Sequence, residues 1–248
     1  EYLATNQGVV GSNPAWRTKV FPNAPSASGI SFFVLYLFFT RVAMVLFVQG
    51  ASHAGKSCLA AALARRCGAA VFSLDLLKMG LLRSKSPLFS DLTPEEDASI
   101  EARLWPIVRE VARTALENDQ SVVFEGVHMP FEGPAELDAA FPGKVARIAI
   151  VFTDAYIREN IDRIACLENA VEKRLVAAEI GCVDDCLAEH RTVRQKAERC
   201  GWSLLEIESH EAWTRKVLRL EGFSPLLLDG LSARLFRPSE DEAAPSVC

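Results

Sequence analysis

The chain has 248 residues, half of them apolar and 24% charged, with a formal net charge of −5. That content can bury a sizeable core, so it excludes a disordered chain and points to one globular α/β domain with additions. The acidic balance argues against a general nucleic-acid binder, which carries a basic surface, and favours a small-molecule partner.

Residues 1–41 read as an extension outside the core. The stretch "VVGSNPAWRTKVFPNAPSASG" has the Gly, Pro, Ser and Asn content of a loop and no periodic apolar pattern. Ile30 to Phe39, "ISFFVLYLFF", is too short for the roughly 20 apolar residues that span a bilayer. Joined to "VAMVLFV" it reaches the length of a signal anchor, but that second half is needed as a strand, so no membrane association is expected. Met44 is the first methionine, and translation is expected to start there. Gly11-Ser12-Asn13-Pro14 fits that expectation, because GGTTCGAATCCC encodes it and resembles the T-arm of a transfer-RNA gene.

Val42 to Val48 is a continuous apolar run of the kind buried on both faces of a parallel sheet. "GASHAGKS" follows at residues 50–57, and "GKSCLAAALARRCG" then carries Ala and Leu at helical spacing up to Gly68, a stop signal. Strand, loop and helix in this order match the phosphate-binding pattern G-x-x-x-x-G-K-[ST], also called Walker A; without them the eight residues would be a glycine-rich turn. Gly50 and Gly55 let the backbone of Gly50, Ala51, Ser52, His53, Ala54, Gly55, Lys56, Ser57 and Cys58 wrap a phosphate with successive N–H groups. Lys56 is expected on the β- and γ-phosphates, and the Ser57 hydroxyl on Mg²⁺. His53 occupies a position that offers mainly backbone, and is read as tolerated rather than catalytic.

Ala69 to Asp75, "AAVFSLD", is a second strand ending in an acid. Ligands gather at the carboxyl ends of parallel strands, so Asp75 is a candidate to orient or deprotonate an acceptor hydroxyl; the competing reading is a helix N-cap. Arg83, with Lys78 and Lys85, offers charge for an anionic substrate or forms a solvated basic face. Thr93, Pro94 and Glu96 read as a capping box opening a long amphipathic helix, kinked near Pro106 and with Trp105 as a packing residue rather than a base-stacking platform. "SVVFEGVHMP" (Ser121 to Pro130) is a third strand, whose Glu125 can organise magnesium or bind a substrate hydroxyl. His128 beside it is a substrate contact, an acid or base, or a polar loop histidine. Val145 to Phe152 and Leu204 to Ile207 supply strands four and five.

"GASHAGKS", "SLD" and "FEGVHMP" together resemble the P-loop small-molecule kinases, a group related to nucleoside monophosphate kinases, zeta-toxin-like kinases and chloramphenicol phosphotransferase. The last segment resembles the "EGVH" of archaeal 2-phosphoglycerate kinases, although the Lys56-Ser57 ending and "LDLLKMGL" depart from them. The resemblance spans residues 42–209 and implies a three-layer α/β sandwich with a parallel sheet in the order 2-3-1-4-5. It also implies Asp75 near the acceptor, an arginine-bearing lid, and ATP preferred over GTP. A lid around 154–200 is independently suggested by Arg158, Arg163 and Arg174, which either meet transferring phosphate or pair on the helix surface with Glu159, Asp162 and Glu172.

The seven scattered cysteines suggest reduced thiols in a cytoplasmic protein. Cys182, Cys186 and His190 share a helical face and invite either a metal or ordinary packing. Past residue 209, "EAWTRKVLRLEG" reads as a closing helix and "RPSEDEAAPSVC" as a disordered tail. Two functions follow: a Mg²⁺- and ATP-dependent kinase acting on a small-molecule hydroxyl or phosphate, or a nucleotide-gated switch or ATPase. The second class should show a Walker B aspartate after a strand, and none is obvious. The acceptor and the oligomeric state are not readable.

Overall fold

Strand β1 (Val45–Gly50) is buried along its whole length, which explains its unbroken apolar sequence. Val45 and Phe47 point into one core and Leu46 and Val48 into the other, so a single strand anchors both faces of the sheet. The computed structural model describes residues 43–94, 96–166 and 182–232. The N-terminal extension, Arg174 and the C-terminal tail lie outside them.

The helix α1 (Lys56–Cys67) follows the loop and ends at Gly68, whose left-handed φ of 69° closes it as the sequence predicts. Next come β2 (Ala70–Ser73), α2 (Leu74–Arg83), α3 (Asp97–Glu117), β3 (Val122–Glu125), α4 (Pro134–Ala140) and β4 (Val145–Phe152). After these stand α5 (Asp154–Cys166), α6 (Val183–Arg199), β5 (Ser203–Ile207), α7 (His210–Trp213), a π-helical turn (Thr214–Leu218) and α8 (Pro225–Leu231). All four strand pairings are parallel, and the order is β2-β3-β1-β4-β5, the order that the resemblance implies. Every strand therefore delivers its carboxyl end to one edge of the sheet, beside the loop at residues 50–57.

One core packs α1 and the segment after β5 against Leu46, Val123, Ile148, Ile150 and Ile207. The other packs α3 against Phe47 and Phe124, with Trp105 buried and its ring centroid 5.9 Å from that of Phe47. Each fully buried Leu or Phe of this kind stabilises the fold by about 1.5–3 kcal/mol. Among the described residues no helix is long and apolar enough to cross a membrane.

Three local expectations need correction. Strand β2 stops at Ser73, so Asp75 stands in the first turn of α2 rather than at a strand end, and Ser73 rather than Asp75 is the N-cap. Helix α3 starts at Asp97, after the expected box, of which only one half forms: the Glu96 carboxylate accepts the Thr93 N–H at 2.6 Å, in a turn that precedes the helix. Residues 210–231 are more than a closing helix, since Trp213, Val217, Leu220 and Leu231 are buried in the core beside α1.

Candidate functional site

The loop between β1 and α1 is held open by contacts from distant parts of the chain. Gly55 has φ 99°, and a Cβ there would sit 2.6 Å from the indole nitrogen of Trp213. That indole N–H donates to the Ala54 carbonyl at 3.2 Å, so the ring replaces the missing side chain and buttresses the loop from behind. His53 adopts φ 60°, a left-handed backbone uncommon outside glycine. The Lys56 ammonium donates to the carbonyls of Gly50 at 3.2 Å and Ala51 at 2.8 Å, and so lies across the mouth of the loop. No acidic side chain stands in the first turn of α1, which leaves its positive N-terminal end for an anion. Burial pushes the Cys58 thiol up, so what this residue offers is its amide and not a thiolate.

Beside the loop, the Ser57 hydroxyl donates to Glu125 Oε2 at 3.1 Å. Glu125 is only 3% exposed. Burial raises its carboxyl above the usual range and the Asp75 charge adds to that, while the Ser57 hydroxyl and the Lys56 charge pull it back. Gly126 follows with φ 149°, and a Cβ there would meet the Leu74 Cβ at 2.8 Å. The glycine thus lets the end of β3 close onto the start of α2, which carries Asp75.

His128 is buried between two acids, its Nε2 3.9 Å from Asp75 and its Nδ1 3.7 Å from Asp97. Burial first, then the Lys78 charge, lowers its pKa, with Asp75 and Asp97 opposing. The lowered pKa favours the uncharged imidazole, and burial makes His128 part of the packed site rather than a solvated loop histidine. Gln49 fixes it from below: its amide donates to the carbonyls of Val127 at 3.1 Å and Met129 at 2.8 Å, on either side of His128.

The structure therefore brings Lys56, Ser57, Asp75, Glu125 and His128 into one contiguous set at the sheet's carboxyl edge. It does not add the arginines. Arg83 stands at the far end of α2, eight residues or about 12 Å along the helix from Asp75, and is exposed. Lys78 is the basic residue of that helix whose charge reaches His128. Arg158 and Arg163 are exposed on α5, and among the described residues no hydrogen bond or ion pair joins them to the set or to Glu159 or Asp162. His190 is a core residue: its Nδ1 accepts the Phe152 N–H at 2.9 Å and its ring stacks on Phe152. Cys182 caps α6 through Asp185, and among the described residues no three His, Cys, Asp or Glu side chains converge as a metal cage.

The donor set fits a nucleotide-bound Mg²⁺ rather than a protein-caged metal. One hydroxyl and one buried carboxylate are hard oxygen donors, and the remaining positions of an octahedral Mg²⁺ are the ones that phosphate oxygens and water ordinarily fill.

The sequence reading does not single out Gln49, Asp97, Glu189 or Trp213. Gln49 does leave a trace, as the one polar residue of β1. The others reach the site from elements far away in the chain.

No protein-family model matches the chain, and no curated protein does. Among solved structures it is similar to a gluconokinase from Sinorhizobium meliloti 1021, at 16% identity and TM-score 0.44, over 77% of this chain and 93% of that one. It is also similar to the shikimate kinase from Bacteroides thetaiotaomicron, at 19% identity and TM-score 0.44, over 71% of this chain and 96% of that one. The shikimate kinase from Aquifex aeolicus is similar at 13% identity and TM-score 0.41, over 72% and 97%. All three similarities are at low sequence identity, and the fold is read from the chain's own strand order and loop.

Proposed function

We propose that the chain is a Mg²⁺-dependent phosphotransferase that moves the γ-phosphoryl group of ATP, or GTP, to a small-molecule hydroxyl or phosphate. The observation that carries this reading is the Ser57–Glu125 hydrogen bond beside Asp75. It sets a metal-binding pair between a phosphate loop and a second carboxylate able to serve an acceptor.

In this reading the loop amides and Lys56 hold the phosphates. Ser57 and Glu125 would hold Mg²⁺, which when bound would neutralise phosphate charge. Of the two roles that the sequence leaves open for Glu125, organising magnesium or binding a substrate hydroxyl, this reading takes the first, the one an acid after a strand plays in P-loop enzymes. The acceptor oxygen attacks the γ-phosphorus in line, the bond from that phosphorus to the β–γ bridging oxygen breaks, and the acceptor proton passes to Asp75. His128, neutral and held by Gln49, orients the acceptor beside Asp75. Arg158 and Arg163, exposed on α5, are the arginines this reading offers to the charge that develops in transfer. The free thiols of Cys58, Cys67, Cys182, Cys186 and Cys200 support work in a reducing compartment, and the acidic net charge supports a small-molecule partner over nucleic acid.

The test is nucleoside diphosphate release from Mg²⁺–ATP or Mg²⁺–GTP across nucleosides, nucleotides, sugars, sugar acids, 2-phosphoglycerate and aminoglycosides. Wild type is run beside Lys56→Ala and Asp75→Asn. Acceptor-stimulated release that both variants abolish supports the proposal. Slow release that no acceptor stimulates and that Asp75→Asn leaves unchanged favours the nucleotide-gated switch or ATPase.

A further inference from the structure

The phosphate loop already holds a carboxylate. Glu189 Oε1 accepts the Ser52 backbone N–H at 2.7 Å and the Ser52 hydroxyl at 2.8 Å, across 137 residues of sequence. Both groups belong to the loop that phosphate is expected to occupy, and an N–H can serve one anion at a time.

Helix α6 presents this carboxylate from a fixed backbone. The next residue, His190, is buried against Phe152 and accepts its N–H. One turn further on, Arg194 makes a two-pronged contact with Glu206 of β5, at 2.9 and 3.0 Å. When Glu189 leaves Ser52, its charge therefore stays close to the loop, because the helix carrying it is tied to β4 and β5.

We propose that Glu189 is an internal competitor for the phosphate loop and sets its affinity: a ligand that presents phosphate at Ser52 must displace the carboxylate and then bind beside a like charge. The inference rests on the phosphate-binding reading of residues 50–57. Its cost appears as weaker apparent affinity, since only the fraction of loops released from Glu189 accepts phosphate.

Calorimetric titration of the full chain with adenylyl-imidodiphosphate and Mg²⁺ tests it, with thermal unfolding to verify that each variant folds. Glu189→Ala should bind about tenfold more tightly than wild type, the order that one charge-assisted hydrogen bond supports, and Glu189→Gln should gain less. Glu198→Gln, which removes an exposed charge from the last turn of the same helix, should change nothing. Equal or weaker binding in both Glu189 variants, with wild-type binding abolished by Lys56→Ala, overturns the proposal alone. If wild type and every variant fail to bind, the phosphate-loop reading falls and the proposal falls with it.

Discussion

The Ser57 hydroxyl donates to Glu125 Oε2 across 3.1 Å, joining the first turn of α1 to the end of β3 over 68 residues of sequence. The bond places an acid, one of the most buried charged groups described, beside the hydroxyl proposed to bind the metal. Glu125→Gln keeps the shape and an acceptor for Ser57 but removes the charge. It should weaken Mg²⁺–nucleotide binding by about 10- to 100-fold, the range for groups that support a metal site. Nucleotide binding in EDTA should change little. Titration with and without Mg²⁺ separates the two; an equal loss in both conditions would contradict the metal role.

The same carboxyl makes stability depend on pH in a defined direction. Burial holds it above its ordinary value of 4.5, so the folded chain binds this proton more strongly than the unfolded chain. Its contribution is fully present below pH 4.5 and is lost as pH rises through the raised value. Glu125→Gln has no such loss. In urea unfolding its stability relative to wild type should climb from pH 4.5 upward and level off; a difference that is flat or falls with pH would contradict the account.

His190 has the opposite sign. Burial lowers its pKa from 6.5 to about 4, so the unfolded chain binds the proton more strongly between those values. Stability from this group is present above pH 6.5 and drains away as pH falls toward 4, by about 3 kcal/mol at most for the single site. His190→Gln, which can still accept the Phe152 N–H, should flatten the unfolding curve over that interval. A slope identical to wild type would place the acid sensitivity elsewhere.

Trp213 ties the segment after β5 to the loop at residues 50–57 through Ala54. Trp213→Phe removes only the donor and part of the ring, and should cost about 1 kcal/mol of stability. Trp213→Ala also empties the space behind Gly55 and should cost about 3–5 kcal/mol. Both should weaken nucleotide binding, because the loop loses its support. Denaturant unfolding and nucleotide titration check the pair together, and unchanged binding in Trp213→Ala would show that the loop holds its shape alone.

What was legible in the sequence was whatever repeats locally. The strand at Val145–Phe152 has the same bounds as its apolar run, and the loop with its following helix stands where "GASHAGKS" puts it. β2 misled the reading of Asp75 because it is a short edge strand, exposed at Ala70 and Val71, and the turn into α2 at Ser73 breaks no apolar pattern. The contacts that shape the site are of another kind. Glu189 reaches Ser52 over 137 residues, and Trp213 reaches Ala54 over 159. Helical or strand periodicity marks each partner's own element and says nothing of such pairings. His128 shows the same limit: its neighbours Gly126 and Pro130 mark a loop, while its burial comes from α2, α3 and Gln49 packing around it.

The central claim is transfer, and following the γ-phosphorus tests it most directly. ATP labelled with ³²P at that position is incubated with the protein, Mg²⁺ and a fractionated metabolite extract, beside Asp75→Asn. The account predicts label on an organic acceptor in one fraction, lost in the variant. Label that appears only as inorganic phosphate, in every fraction and in both proteins alike, would contradict it.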